Sequence, residues 1–364
     1  MKSSLKLTLF AFVIILITES SIAANVSRWP SAEALETEQR MIAAIAEQAV
    51  QAKSEEVFDA GLRELARASV EQGLDANINE ALDRIITQVD GEQWQVDQTY
   101  RYGLIESLVR SQGLATDGKN HFWFSGTASL LRAKSKTGKA GLTKLFPLPK
   151  ALVKLGDDHV GDIDYYDGTI YAPGEDGKNN YKNPYVILYD AQKLTVKSYF
   201  RLPVAPQAEG VPWVAVEPAK NRAFSALYYN VNKINVYDLK TFAPAGEIDL
   251  SQTIHSWQGA KVHDGFMYAT SDGDANTIGK HVFKINLDTG TVIDVATLPS
   301  DVTELEGLAF STNGSAVEMD VLGIVRHGKN KIVRTLSTRA QLHMYKRTTL
   351  SLRDQVREAL KGTP

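Results

Sequence analysis

Two hydrophobic periods divide the chain. Over residues 31–90 apolar side chains recur at three- and four-residue spacing: Met41, Ile42 and Ile45, then Phe58, Leu62, Leu65 and Ala66, then Ile78, Leu82, Ile85 and Ile86. That spacing lays one apolar stripe along each of three short helices. Ser31 after Pro30, Ser54 before Glu55 and Glu56, and Asn77 with Glu80 three residues on mark the starts. Such side chains cap free amides, and acids suit the positive end of the helix dipole. From Gln93 onward the period falls to two. Residues 163–166 alternate apolar with polar or aromatic types, Asp167-Gly168 supplies the positive φ of a tight hairpin, and residues 169–172 continue in β-branched and aromatic types.

A longer period overlies the short one. Gly113, Gly161, Gly210, Gly259 and Gly307, each opening an apolar run, stand 48, 49, 49 and 48 residues apart. A second series, Tyr189-Asp190, Tyr237-Asp238 and Ile285-Asn286, repeats every 48 residues. The third copy is the loosest, because aligning its apolar run with the second puts Pro212, not Gly210, over Gly161. Each copy has room for four antiparallel strands, the size of one β-propeller blade. A single blade exposes an apolar face, and a ring of blades buries it.

The pattern therefore predicts an all-β, five-bladed β-propeller with an N-terminal α-helical appendage, or six blades if residues 91–110 hide a degenerate copy. Trp94, Val96, Thr99 and Arg101-Tyr102 suit a single outer strand, and the fifth copy lacks a clean fourth strand after residues 341–346. A strand from the N-terminal side closing the last blade accounts for both. The expected organisation is a signal peptide over 1–24, a helical segment over 25–92, the propeller over 93–347 and a helical tail over 348–364.

The first 24 residues carry Lys2 and Lys6, an apolar run over 7–17, and small residues ending at Ala23-Ala24. This is the layout of a secretory signal. The run is shorter than the roughly 20 residues a membrane span needs. A secreted or periplasmic protein with no integral membrane span after cleavage is the expectation. With no cysteine there is no disulfide, no lipid-anchor site and no thiolate. A formal charge of −3, read with no basic block or stripe, argues against nucleic acid as a partner.

In a propeller, the loop leading into each first strand shares a face with the loop joining strands two and three. The leading loops bring Gln112, His159, Asp162, Glu209, Trp213, Trp257, Gln258, Glu304 and Glu306 to that face. The second set adds Glu175, Tyr228, Asp272 and Asp274. Gln112, Glu209, Gln258 and Glu306 directly precede four of the five glycines and form a ring of oxygen donors. Calcium on Asp162, Glu209, Glu306 and the amide oxygens of Gln112 and Gln258, with His159 as base, would suit hydrolysis of an ester or lactone. Without metal, a glutamate kept protonated among other carboxylates, Glu304, would serve as acid and base for intramolecular acyl transfer.

Trp213, Trp257, Glu175, Tyr228 and Asp272 are the expected ligand contacts, the tryptophan faces stacking on a sugar or ring. Each has a structural alternative. Asp162 and Glu306 equally suit bonds to backbone amides of the next blade, and the tryptophans equally suit a channel plug. Asp117, Asp167 and Asp264 read as turn residues, Asp190 and Asp238 as turn caps. The competing function is a non-catalytic propeller binding a glycan, peptide or partner protein, with the N-terminal helices as a possible protein contact.

The stretches HVGDIDYYDGTIYAP, VPWVAVEP, WQGAKVHDGFMYATSD and ELEGLAF together resemble a group of exported β-propeller proteins, over about residues 105 to 345. Ser111-Gln112-Gly113-Leu114 is similar to the first-blade motif of the five-bladed glutamine cyclotransferases, and Glu304-Leu305-Glu306 to a later one. That resemblance implies a cyclase. Val160-Gly161-Asp162 departs from it, standing where those enzymes have a Glu-Gly pair. The gluconolactonase and paraoxonase propellers share the blade logic and a channel calcium, but they have six blades and asparagine ligands that this chain does not match.

Overall fold

The computed structural model describes residues 32–74, 77–89, 92–177, 180–273, 280–314, 316–326, 337–348 and 356. The signal sequence expected over 1–24, Ser31, Asp274 and, apart from Thr348 and Val356, the helical tail expected over 348–364 lie outside the described residues. The chain divides into two compact units, Met1–Glu92 with Thr348–Pro364, and Gln93–Arg347.

In the first unit, helices α1 (Ala32–Gln51), α2 (Glu55–Glu71) and α3 (Ile78–Val89) pack their apolar stripes on one another, burying Ile42, Ile45, Phe58, Leu62, Leu65 and Ile85. A Cβ on Gly61 would come within 2.5 Å of Ile45 Cγ2, so α1 and α2 approach closely there. Ser54 holds the cap position in extended conformation, but its side chain makes no cap bond. Among the described residues no helix is long and apolar enough to cross a membrane.

The second unit is a five-bladed β-propeller of five four-stranded antiparallel sheets. An outer strand, β1 (Trp94–Arg101), comes first, followed by a short helix α4 (Leu104–Leu108). Blade 1 holds β2 (Gly113–Thr116), β3 (Phe122–Gly126), β4 (Ser129–Ala133) and β5 (Ala140–Leu145), and helix α5 (Lys150–Leu155) follows it. Blade 2 holds β6 (Asp164–Tyr166), β7 (Thr169–Gly174), β8 (Tyr185–Asp190) and β9 (Val196–Arg201). Blade 3 holds β10 (Ala215–Glu217), β11 (Arg222–Ser225), β12 (Val231–Asp238) and β13 (Pro244–Ile254). Blade 4 holds β14 (Trp257–His263), β15 (Phe266–Ser271), β16 (His281–Asn286) and β17 (Val292–Thr297).

Blade 5 has three strands of its own, β18 (Glu304–Asn313), β19 (Ala316–Val325) and β20 (Arg339–Arg347), and takes β1 as its fourth. The pairing runs antiparallel from Trp94 opposite Arg347 to Arg101 opposite Gln341. The first strand of the unit thus closes the last blade, and no degenerate sixth copy intervenes.

The two repeat series have distinct causes. Asp190, Asp238 and Asn286 each accept two backbone N–H bonds from the turn that follows, Asp190 from Gln192 at 3.0 Å and Lys193 at 2.8 Å. The opening glycines let first strands meet at the channel. A Cβ on Gly161 would overlap Pro212 O, and one on Gly259 would lie 2.8 Å from Gly307 Cα. Asp162 N donates to Pro212 O at 2.9 Å and Val214 N to Asp162 O at 3.3 Å. Pro212 is therefore the counterpart of Gly161, and the offset of the third copy is real. Gly210 serves another purpose, because a Cβ there would overlap Glu175 Oε2.

Asp167-Gly168 and Asp264-Gly265 take positive φ at both residues, as a tight hairpin requires. Asp117 differs. Its carboxylate accepts amide bonds from Lys119, Asn120 and His121 at 2.8 to 3.0 Å. Partial burial pushes it up, but those amides and the His121 side chain hold it at about 2.

Candidate functional site at the channel mouth

The leading loops and the loops joining second to third strands enclose a cavity of about 500 Å³. Gln112, His159, Asp162, Glu209, Gln258, Glu304 and Glu306 come to it from the leading side. Glu175, Tyr181, Tyr228, Tyr229 and Arg326 come from the other set.

Asp162 forms the floor. Its side chain is wholly buried and crosses the channel. Oδ1 accepts from Leu114 N of blade 1 at 3.0 Å, and Oδ2 accepts from Ala260 N at 3.1 Å and Lys261 Nζ at 3.0 Å, both of blade 4. A Cβ on Gly307 of blade 5 would overlap it. Burial pushes this carboxyl up, to about 7, against the pull of Lys261 and the Leu114 amide.

Above it lies Glu306, 2% exposed. Burial, then the charges of Glu304 and Asp272, drives its carboxyl well above the usual carboxylate range, with Arg326 pulling the other way and Asp162 adding to the rise. Gln112 Nε2 donates to Glu306 Oε1 at 3.4 Å, and Gln112 Oε1 meets His159 Nε2 in a short hydrogen bond. An amide oxygen only accepts, so His159 carries its proton on Nε2. Nδ1 is left basic, 3.7 Å from Glu175 Oε1. Burial lowers the imidazole pKa, with Asp158 acting in the opposite sense. Glu175 accepts from Val211 N at 2.8 Å, yet burial and then Asp158, Asp176 and Asp157 raise it to about 7.

The remaining side chains are held by partners of their own. Glu304 pairs with Arg326. Glu209 accepts from Tyr229 N at 2.9 Å. Asp272 stands behind the wall, accepting from Lys280 Nζ at 2.8 Å, Leu305 N at 2.6 Å and Gln258 Nε2 at 3.3 Å. Gln258 Nε2 also donates to Tyr228 OH at 3.3 Å.

One expectation needs correction. Trp213 and Trp257 are fully buried in the core shared by blades 3 and 4, ring centroids 4.6 Å apart, and offer no face to a ligand. Of the five expected calcium donors, Asp162 accepts from Lys261 and two amides, and Gln112 Oε1 is turned to His159. Among the described residues no group of three His, Asp or Glu is placed to hold a metal ion.

Lys261, Tyr181 and Arg326 escape the sequence reading. Arg326 follows β19, the same place in its blade that Glu175, Tyr228 and Asp272 hold in theirs, so the blade period does mark it. Lys261 is marked only by being a lone cation in an apolar strand.

Fold and site define a five-bladed propeller with an acidic, tyrosine-rimmed cavity at its channel mouth. No protein-family model matches the chain, and no curated protein matches it. Solved structures with a similar fold include Kuenenia stuttgartiensis hydrazine synthase, 12% identical with a TM-score of 0.37, covering 59% of this chain and 56% of that one. The exo-β-1,3-galactanase of Phanerochaete chrysosporium is 11% identical with a TM-score of 0.47, covering 69% and 64%. The Mitotic Checkpoint Complex is 12% identical with a TM-score of 0.34, covering 64% and 60%. The chain spans less than two thirds of each, and the likeness carries no property of theirs to it.

Proposed function

We propose that the channel-mouth cavity performs metal-free acid–base chemistry on a small ester, lactone or peptide-like substrate, after export of the chain. The supporting observation is the line Glu306, Gln112, His159: a carboxyl whose pKa burial raises and an imidazole whose pKa burial lowers, both held by one amide. A nucleophile, either water or the substrate's own amine, adds to the carbonyl carbon as His159 Nδ1 takes its proton. Glu306 then gives its proton to the leaving oxygen or nitrogen as that bond breaks, and solvent at the open mouth resets both groups. A pair in which burial raises the pKa of the carboxyl and lowers that of the imidazole divides the acid and base roles. Glu306, rather than Glu304, is the acid, because Glu304 is committed to Arg326.

Capture of a glycan or peptide without chemistry is the second reading, favoured by the rim. Tyr228 and Tyr229 meet edge to face at 4.3 Å, and the exposed Tyr229 offers a stacking surface. Mass spectrometry of esters, lactones and N-terminal glutaminyl peptides incubated with the protein separates the two. Catalysis predicts product that Glu306→Gln cuts by about a hundredfold or more. Capture alone predicts binding with no product.

A further inference from the structure

Blade 1 presents a surface of opposite character. From residue 118 to residue 156 there is no Asp or Glu, but there are Lys119, Arg132 and six lysines from Lys134 to Lys154, in a chain of formal charge −3. The absence of a basic stripe expected from sequence does not hold here. Lys136 is taken by Glu318 and Asp320. Lys134, Lys139, Lys144, Lys150 and Lys154 are exposed and make no ion pair among the described residues.

Uncovered apolar side chains stand among them. Phe146, in the turn after β5, is 80% exposed and holds φ 51, which is disfavoured for a bulky residue. Leu145 beside it and Val153 and Leu155 of α5 are exposed, as are Leu108 and, at 79%, Ile105 of α4. The hairpin tip over 126–129 joins these pieces. Gly126 packs on Leu108 O, Ala128 O accepts from Phe146 N at 2.8 Å, and Thr127 O accepts from Val160 N at 3.1 Å. The surface lies at the cavity's end of the propeller, since α4 leads to Gln112 and α5 to His159.

We propose that this surface docks on an anionic phospholipid membrane, Phe146, Leu145, Leu108 and Ile105 entering the headgroup layer while the lysines hold lipid phosphates. An apolar patch rimmed by cations is the combination that binds such interfaces. Charge complementarity selects the occupant. Residues 118–156 carry no acid that would register a protein partner, and Glu106, the carboxylate between Ile105 and Leu108, is paired with Arg110; the apolar side chains project from a turn and two short helices instead of lining a groove. Docking sets the cavity mouth beside the headgroups.

Vesicle flotation tests this with the chain from Asn25 onward, which keeps both folded units and removes the apolar run over 7–17. The protein should float with phosphatidylcholine–phosphatidylglycerol vesicles at low salt, and not with phosphatidylcholine alone. Phe146→Ser with Ile105→Ser should weaken binding about tenfold or more. Lys144→Gln and Lys150→Gln should each cost about fivefold. All four sites are exposed, so the thermal midpoint should not move. No flotation with the anionic vesicles, or flotation untouched by the apolar substitutions, overturns the proposal. Equal retention of wild type and Phe146→Ser on soluble heparin, without flotation, overturns it in favour of polyanion capture.

Discussion

Lys261 Nζ lies 3.0 Å from Asp162 Oδ2 in the centre of the channel, both side chains almost wholly out of solvent. The pair links blades 2 and 4 across the ring, and the Leu114 amide brings in blade 1. Removing one member leaves the other buried without its partner, which costs about 3–5 kcal/mol. Asp162→Ala and Lys261→Met should each lower stability by that amount in urea unfolding, and the double variant by less than the sum. Additive losses would show that the two side chains do not act as a pair.

Among the described residues no group of three His, Asp or Glu is placed to hold a metal ion at the channel mouth. Neither calcium nor EDTA should shift the thermal midpoint of the protein, and Glu306→Gln should leave that indifference unchanged. A midpoint that rises with calcium in the wild type but not in Glu306→Gln or Asp162→Asn would restore the metal reading.

Asp157 should make stability fall as pH rises. It is 2% exposed, and among the described residues neither carboxyl oxygen has a hydrogen-bond partner. Burial, then the charges of Asp176 and Asp158, raises it from 3.8 to about 7. The folded protein therefore holds this proton where the unfolded chain has released it. The contribution is complete below about pH 4 and is lost as pH rises through 7, up to about 4 kcal/mol for three units. Asp157→Asn should flatten the dependence of unfolding free energy on pH between 4 and 8. An unchanged slope would assign the effect elsewhere.

Gly161→Ala should cost about 3 kcal/mol or more, because its Cβ would overlap the carbonyl of Pro212, a backbone atom with nowhere to retreat. Trp94→Ala should open the ring at its closure. Trp94 is buried in β1 against Phe310, with the Arg347 guanidinium 5.1 Å from its ring, and its loss should cost about 3–5 kcal/mol. Limited proteolysis should then cut first between β1 and β2; cleavage confined to other loops would contradict the closure account.

The blades were legible because the positions that recur have backbone causes. Gly161 and Gly259 make room for a neighbouring strand, and Asp190 and Asp238 cap a turn. The ring closure was legible because β1 and the incomplete fifth copy each lacked a partner. The tryptophans were not. Asp162 and Trp213 hold equivalent places in paired first strands, yet one side chain enters the channel and the other the core between blades. Spacing alone does not separate them. The raised pKa of Glu306 was equally hidden, since it depends first on burial and then on Asp272 and Asp162 of other blades joining Glu304, its neighbour in β18. Blade 1's basic surface was present in the sequence, but spread over nearly forty residues it lacked the density of a block.

The central claim is that Glu306 is a neutral acid at the pH where the protein works. Infrared difference spectroscopy of wild type against Glu306→Gln reads this directly through the carbonyl stretch of a protonated carboxyl. The account predicts that band at pH 7, absent from the variant and lost only at higher pH. A Glu306 that ionises in the ordinary carboxylate range, with no such band at pH 7, would contradict it.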